Sequence, residues 1–297
     1  MATVGTGPSL LSSEFLAQLE RFALLSRRAF RGRVKGERKS PRKGSSVEFS
    51  DYRAYGAGDD IRYVDWNIYG RLDRLYVKLF VDEEDLYLHV LLDASGSMEF
   101  GQPSKLEYGA RLAAALGFVG LVNLERVGVA VLRERMAEGW SPTRGRGQIL
   151  PLMDFLGRLR SGGRTAINDG LSQYALRSRE AGVAVVISDL MDPEGYERGL
   201  KALLERRFDV HVIHLLAAEE MNPSFGGDLR LEDAETGELR DLTLDGEALR
   251  AYRQRLREFL ERAEQFCRSR EITYHRMATD TPVEEFVLRQ LKGLLLA

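Results

Sequence analysis

The sequence has few of the residues that build covalent or zinc-held scaffolds. Among its 297 residues it contains one cysteine, Cys267, and four histidines. A single thiol cannot form an internal disulfide bond, and this small set of residues does not supply a structural zinc cluster. The fold must therefore be held together by a packed core, and the chain is long enough to bury a sizeable one.

Long apolar runs and a strong charge of one sign are also missing. No window approaches the roughly 18 consecutive apolar residues of a membrane-spanning helix, and the amino-terminal residues lack the pattern of a signal peptide. The formal net charge is −2, which gives no general attraction to nucleic acid or anionic lipid. These absences predict a soluble, cytoplasmic protein.

Positive charge is nevertheless concentrated in one stretch, between Arg27 and Lys43. Glycines and Pro41 interrupt this stretch, and no period runs through it, so we expect an exposed loop. It could neutralise phosphates, which would make the chain a nucleic-acid adaptor with strongly salt-dependent binding. The neighbouring aromatic residues lie among acidic side chains rather than in a basic groove, which favours a solvated loop or one that faces an acidic protein.

From Asp85 to the C-terminus the sequence alternates between strand and helix patterns. Two continuous apolar runs that each end in a carboxylate, LYLHVLLD and GVAVVISD, are typical of parallel strands buried on both faces. Amphipathic stretches between such runs predict crossover helices. We therefore expect an α/β fold with a doubly wound, mostly parallel sheet and helices on both faces. In such sheets, ligands bind beyond the carboxyl ends of the strands, where the strand order reverses.

The amino-terminal part has a different pattern. Apolar residues between Ser12 and Leu25 recur every three or four positions, as on an amphipathic helix. Residues 47–81 are dense in aromatic residues and in both signs of charge, and we interpret them as short strands and turns rather than helix. The sequence thus predicts a helix, the basic loop and a small β-rich extension over residues 1–81, and the α/β domain over residues 82–297.

Oxygen-bearing side chains follow the first apolar run directly. Asp93, Ser95 and Ser97 offer a carboxylate and two hydroxyls, the hard donors that Mg²⁺ and Mn²⁺ prefer. Thr165 lies in a glycine-hinged loop before a predicted helix, and Asp189 ends the second apolar run. If the two strands are neighbours in the sheet, all five side chains converge. The sequence therefore predicts a divalent-cation site at this edge.

Two other interpretations apply to the serines. The Asp and Ser side chains of this stretch could form a turn that caps the next helix. A nucleophilic serine is disfavoured, because the sequence has no G-x-S-x-G elbow and no histidine suitably placed for a triad. Thr165 and Asp189 favour the cation site, since a simple capping turn does not need them.

Residues 85–297 resemble a von Willebrand factor A domain. Asp93, Ser95, Ser97, Thr165 and Asp189 match its metal-ion-dependent adhesion site (MIDAS) in type, order and context. The resemblance implies a six-stranded sheet that presents Mg²⁺, or Mn²⁺ or Ca²⁺. It also implies that the hydroxyls coordinate the cation closely, that the aspartates act largely through water, and that an Asp or Glu of a partner protein completes the shell.

The stretch from Gly44 to Lys78 resembles the bacterial family called domain of unknown function 58, or DUF58. Its members are von Willebrand A-like proteins commonly encoded beside MoxR-type AAA+ ATPases. The residues that carry the likeness are Glu48-Phe49, Arg53, Tyr55, Gly58-Asp59-Asp60, Arg62, Asp65-Trp66 and Arg71. The resemblance implies an adaptor or chaperone-like role with a MoxR-type ATPase or its client as partner.

The aromatic and charged block over residues 47–78 has two interpretations of its own. Its aromatic side chains could form a small core, with arginine and aspartate pairs fixing the turns. Alternatively, the block could be an exposed face that docks a partner, and we then expect Arg53, Arg62, Asp65 and Trp66 to make the contact.

The function that follows is that of a metal-dependent protein-binding module that is not an enzyme. A metal-assisted hydrolase is the alternative, in which the same cation activates a water molecule. That reaction needs a general base close to the water, and Glu99 is the nearby candidate in the sequence. A nucleic-acid adaptor acting through residues 27–43 is the third possibility.

Overall fold

The structure of the chain is a computed structural model. The residues it describes are 15, 17, 19–21, 49–80, 86–134, 138–223, 227–283, 286 and 287. They divide into two compact units, of which the smaller spans Arg31–Asp85 and the larger comprises Met1–Phe30 and Leu86–Ala297. The boundary that the sequence predicts between residues 81 and 82 stays a prediction.

The smaller unit contains a two-stranded antiparallel sheet and one helix. Its strands are β1, Phe49–Ala54, and β2, Tyr76–Phe80, and the helix α1 spans Trp66–Leu72. The strands agree with the prediction, whereas the helix does not, because residues 47–81 were expected to lack one. Asp65 explains the difference: its carboxylate caps the helix by accepting hydrogen bonds from the amides of Asn67 (2.9 Å) and Ile68 (3.2 Å).

The larger unit is built around one six-stranded sheet. Its strands are β3, Tyr87–Asp93; β4, Arg126–Leu132; β5, Glu138–Arg144; β6, Val183–Ser188; β7, Asp209–Leu216; and β10, Thr273–Ala278. The order across the sheet is β10-β7-β6-β3-β4-β5. Every neighbouring pair is parallel except β4 and β5 at one edge. This confirms the predicted doubly wound, mostly parallel sheet.

Helices cover both faces of this sheet. They are α2, Lys105–Val122; α3, Ile149–Gly157; α4, Ile167–Arg177; α5, Glu197–Glu205; α6, Ala218–Met221; and α7, Gly246–Arg268. One core layer packs the apolar residues of α2 and α3 against side chains such as Val90 and Leu92 of β3. A second layer packs α4, α5 and α7 against the opposite face, including Leu91. The central strand β3 is therefore buried on both sides, as its unbroken apolar run predicts.

A helical segment near the amino terminus belongs to the same core. Phe15 and Leu19 are helical and buried, and the guanidinium of Arg111 in α2 lies 5.3 Å from the ring centroid of Phe15. These residues agree with the amphipathic helix predicted from Ser12 to Leu25. Residues 17, 20 and 21 are also helical, whereas the remaining positions of the predicted helix and the basic stretch 27–43 lie outside the described residues.

A separate two-stranded hairpin lies between α6 and α7 in the sequence. It consists of β8, Gly227–Glu232, and β9, Leu239–Leu244, paired antiparallel. Most of its side chains are exposed. The turn spans residues 233–238, and Gly237 adopts a φ of +70°, a conformation that favours glycine. A turn at Thr236-Gly237 between two short segments is a sequence pattern typical of such a hairpin.

Within the part of the chain that the structure describes, no helix combines the length and the apolar character that crossing a bilayer requires.

Gly182 provides a test of the close approach between β3 and β6. A methyl group added there would overlap the carbonyl oxygen of Tyr87 and lie 2.7 Å from its Cβ. We expect Gly182→Ala to lower the free energy of unfolding by about 1 to 3 kcal/mol, because a backbone atom must move. The measurement is urea unfolding followed by circular dichroism.

The matched control is Gly157→Ala at the end of α3, where an added methyl group meets no atom within 4 Å. This change should leave stability equal or raise it by up to about 1 kcal/mol, because alanine favours helix. Equal unfolding midpoints for Gly182→Ala and wild type would contradict the packing described here.

Candidate metal centre

The point where the strand order reverses lies between β3 and β6. From β3 the chain moves through β4 and β5 towards one edge, and then through β6, β7 and β10 towards the other. Leu92 of β3 is in register with Ile187 of β6, so the two carboxyl ends lie side by side. Asp93 is the last residue of β3, and Asp189 follows β6 directly. The neighbouring strands that the site requires are therefore present.

Asp93 is buried, with 1% of its surface exposed. One carboxylate oxygen accepts a hydrogen bond from the Ser95 amide (2.9 Å), and the other accepts one from the Ser188 hydroxyl (2.7 Å). Burial raises the pKa of Asp93 to about 7, and the negative charge of Asp189 adds to the effect. Hydrogen bonds from Ser188 and Ser95 oppose the shift in this pKa without cancelling it.

Asp189 is equally buried but has a cationic partner. Its carboxylate accepts a hydrogen bond from the Lys105 ammonium at 2.8 Å, and Lys105 also lies 2.6 Å from the carboxylate of Glu220. Lys105 itself is buried at the start of α2. Lys105 thus supplies a positive charge next to the buried Asp189 carboxylate. The same ammonium group also pairs with the carboxylate of Glu220.

The serine loop brings two hydroxyls together. The Oγ atoms of Ser95 and Ser97 are 3.1 Å apart, with Ser95 buried and Ser97 half-buried. Backbone hydrogen bonds join this loop to the glycine-hinged loop that precedes α4. The Gly96 amide donates to the Gly163 carbonyl (2.9 Å), and the Gly162 amide donates to the Ala94 carbonyl (3.0 Å). The two loops are therefore held against each other.

Thr165, on the second loop, is buried beneath an acidic side chain. Its amide donates to one carboxylate oxygen of Glu235 at 3.1 Å, and its hydroxyl donates to the other oxygen. Glu235 belongs to the turn of the β8–β9 hairpin. An ideal Cβ placed on Gly96 would lie 3.3 Å from the Glu235 Cγ. Glu235 thus adjoins both the threonine loop and the serine loop.

Four polar residues at this edge were not predicted from the sequence: Ser188, Lys105, Glu220 and Glu235. Ser188 offered the clearest signal, since it comes immediately before the predicted Asp189 at a strand end. Lys105 and Glu235 are, respectively, 84 residues from Asp189 and 70 residues from Thr165. Such contacts depend on the tertiary fold, and no local pattern in the sequence predicts them.

The donor set is compatible with a hard divalent cation. Among the described residues, an ion pair reaches Asp189 but none reaches Asp93. The described residues also contain no cluster of three or more His, Cys, Asp or Glu side chains able to hold a metal. A cation here would rely on hydroxyls, few carboxylates and water, which is a set that Mg²⁺ accepts. The unbalanced buried Asp93 therefore fits a cation as its missing partner.

Glu99, the candidate base of the hydrolase interpretation, is exposed at the end of the serine loop. Its carboxylate accepts a hydrogen bond from the Ser161 hydroxyl. It is therefore already engaged by a residue of the neighbouring loop.

The predicted partner-contact residues lie in the smaller unit. Arg53 pairs with Asp59 at 2.9 Å and Arg62 pairs with Asp60 at 2.7 Å, while the buried Asp65 caps α1 and lies 3.0 Å from the Lys78 ammonium. These contacts agree with the interpretation of structural ion pairs. Whether any of the residues also contacts a partner stays a prediction.

Several large apolar side chains of the smaller unit are exposed, which does not agree with the small-core interpretation. Trp66 is 61% exposed, and Ile61 and Leu72 are each 62% exposed. The Trp66 ring meets the Tyr69 ring edge-to-face, with centroids 6.2 Å apart. A two-stranded sheet with one short helix cannot enclose so many large side chains, and these three stay open to solvent.

Comparison with known proteins gives a family and distant structural likenesses. The sequence profile described as "Protein of unknown function DUF58" matches residues 51–262. Uncharacterized proteins of Mycobacterium bovis and Mycobacterium tuberculosis are each 26% identical over 249 residues, covering 80% of this chain and 78% of theirs. An uncharacterized protein of Mycobacterium avium is 38% identical over 69 residues, covering 23% of this chain and 40% of that protein.

Solved structures share the fold at low identity. BatB from Bacteroides thetaiotaomicron is 18% identical, covering 71% of this chain and 100% of that chain, with a TM-score of 0.45. The SpRpn10 VWA domain is 16% identical, covering 71% of this chain and 97% of that chain, with a TM-score of 0.40. The six-stranded sheet order and the helices on both faces confirm the von Willebrand factor A-like fold class.

The predicted cytoplasmic location is contradicted by these comparisons. An aerotolerance-related membrane protein from Bacteroides fragilis is 18% identical, covers 71% of this chain and 98% of that chain, and has a TM-score of 0.41. An uncharacterized membrane-spanning protein from Vibrio fischeri is also among the matches. The prediction was wrong because it took the absence of an apolar run in this sequence as a sign of location.

The buried Asp93 predicts a pH dependence of stability in EDTA. Its pKa is about 7 when folded, against an ordinary value of 3.8. Between these values the folded state retains a proton that the unfolded state releases, so the free energy of unfolding should fall as pH rises from about 4 to about 7. The asparagine side chain in Asp93→Asn cannot ionise, so the free energy of unfolding of this variant should depend less on pH. The measurement is urea unfolding at pH 5 to 8.

The exposed Asp154 of α3 supplies the control, because Asp154→Asn removes the same charge at a solvated site. This variant should keep the wild-type pH profile. If Asp93→Asn also keeps it, Asp93 does not carry a buried proton in the folded protein.

Proposed function

This chain belongs to the DUF58 family, and we propose that it is a non-catalytic, metal-dependent protein-binding module. The proposal rests on a difference between two buried carboxylates, of which one has a cationic partner and the other has none among the described residues. Lys105 balances Asp189, whereas Asp93 has hydrogen bonds but no ion pair among the described residues. A divalent cation beside the paired hydroxyls of Ser95 and Ser97 would supply the missing charge.

The residues that would hold Mg²⁺, or Mn²⁺ or Ca²⁺ in its place, are Asp93, Ser95, Ser97, Thr165 and Asp189. When bound, the cation supplies a Lewis-acidic position that accepts a carboxylate oxygen from another protein. Lys105 keeps the net negative charge of the site low by pairing with Asp189. An incoming Asp or Glu then forms a charge-assisted contact instead of meeting excess negative charge.

The partner that we propose is a MoxR-type AAA+ ATPase or one of its clients, carrying an exposed Asp or Glu. This proposal follows from the DUF58 resemblance of the stretch Gly44 to Lys78. The exposed ring of Trp66, which meets the Tyr69 ring, offers a second contact point on the same chain. The role would be that of an adaptor, which recognises a protein without transforming it.

The two other interpretations have weaker support. The carboxylate of Glu99, proposed as base for a hydrolase, is hydrogen-bonded to the Ser161 hydroxyl. The basic stretch 27–43, proposed to bind nucleic acid, lies outside the described residues. The nucleic-acid interpretation gives no role to the buried Asp93, whereas the hydrolase interpretation uses the same cation site.

Metal binding tests the proposal directly. Wild-type protein, stripped with EDTA and dialysed, should bind one Mg²⁺ per chain in isothermal titration calorimetry. We expect Asp93→Ala to weaken the affinity by at least about tenfold, because the site loses a carboxylate that positions the ligands. Its circular dichroism spectrum should match the wild type, because the site lies at the rim of the sheet.

Asp154→Ala is the control, since it removes an exposed carboxylate from α3. Immobilised wild-type and Asp154→Ala chains should retain the same proteins from a native lysate in Mg²⁺ and release them in EDTA, whereas Asp93→Ala should retain none of them. Capture that survives both EDTA and Asp93→Ala would refute a metal-dependent mechanism.

A further inference from the structure

The turn of the β8–β9 hairpin is built to hold one acidic residue in place. The carboxylate of Asp233 accepts hydrogen bonds from the amides of Glu235 (3.0 Å) and Thr236 (2.8 Å). The Gly237 amide donates to the Asp233 carbonyl at 2.8 Å. These bonds fix the backbone of the turn, although its residues are mostly exposed.

This turn lies directly on the serine loop. A Cβ placed on Gly96 would be 2.7 Å from the Ala234 carbonyl oxygen and 3.3 Å from the Glu235 Cγ. Any larger residue at position 96 would displace the hairpin turn. The close approach requires glycine in the middle of the loop that carries Ser95 and Ser97.

The Glu235 carboxylate faces a predicted donor of the site. Both hydrogen bonds that Thr165 donates, from its amide and from its hydroxyl, end on this carboxylate. Thr165 is only 7% exposed as a result of its position under the turn and the neighbouring loops. A carboxylate of the chain itself thus lies where the two loops of the site meet.

The helices that precede and follow the hairpin in the sequence contact each other beside the same site. Glu220, in α6 before the hairpin, contacts the Lys105 ammonium, which also holds Asp189. The carbonyl of Glu220 accepts a hydrogen bond from the Tyr252 hydroxyl of α7 at 2.7 Å. Elements before and after the hairpin are therefore tied together beside the site.

We propose that Glu235 is an intramolecular ligand of the metal site, and that it takes the coordination position which a partner's Asp or Glu would occupy. This inference rests on the proposed metal-dependent function. A cation balanced by few direct carboxylates gains from one more, and a tethered carboxylate has a high effective concentration at the site. The hairpin turn is then a built-in acidic ligand that a partner must displace.

The experiment combines calorimetry with hydrogen exchange on the full chain, using Mg²⁺ alone as the probe. We expect Glu235→Gln to weaken Mg²⁺ affinity by about tenfold or more, because a charged carboxylate ligand is replaced by a neutral amide, whose oxygen attracts the cation less strongly. At saturating Mg²⁺, peptides covering residues 233–238 should exchange more slowly than in EDTA in the wild type. In Glu235→Gln that slowing should disappear.

Glu232→Gln is the matched control, because it removes one negative charge from the same hairpin at an exposed position. It should keep both the Mg²⁺ affinity and the Mg²⁺-dependent slowing. Wild-type affinity together with wild-type slowing in Glu235→Gln would overturn the inference while leaving the metal site intact. Failure of the wild-type chain to bind Mg²⁺ would instead overturn the proposed function, and the inference with it.

Discussion

Two carboxylates buried side by side at the ends of adjacent strands set the main constraint on this structure. Asp93 and Asp189 cannot both remain charged away from water without nearby positive charge. Lys105 meets that need for Asp189 at 2.8 Å. Among the described residues no ion pair reaches Asp93, and burial raises the pKa of its carboxyl group to about 7. The proposed cation site is the simplest answer to this imbalance.

The surrounding fold brings loops from separate parts of the chain to that one point. The parallel sheet places the two strand ends together, and backbone hydrogen bonds hold the Gly96 loop against the Gly163 loop. The β8–β9 hairpin then adds Glu235 from a separate part of the chain. A rigid sheet carries the aspartates, while loops carry the hydroxyls and the extra carboxylate. This division suits the proposed binding function, because recognition residues commonly lie on loops that a rigid scaffold positions.

The sequence was most informative where structure depends on local patterns. Strands β3 and β6, their terminal aspartates and the hairpin turn all follow from apolar runs or turn residues. Helix α1 was missed because aromatic residues favour strands, whereas the cap at Asp65 decides the local structure. Lys105 and Glu235 could not be anticipated, since their contacts span 84 and 70 residues. Exposure of Trp66 depends on the small size of its unit, which composition does not reveal.

The most direct measurement is anomalous X-ray scattering from crystals of the chain grown with MnCl₂. Our account predicts a manganese peak beside the hydroxyl oxygens of Ser95 and Ser97, at about the 2.0 to 2.2 Å expected for a hard cation. It also predicts an oxygen of Glu235 in contact with that ion when no partner is present. A well-ordered site without such a peak, with Asp93 held only by Ser188 and the Ser95 amide, would contradict it.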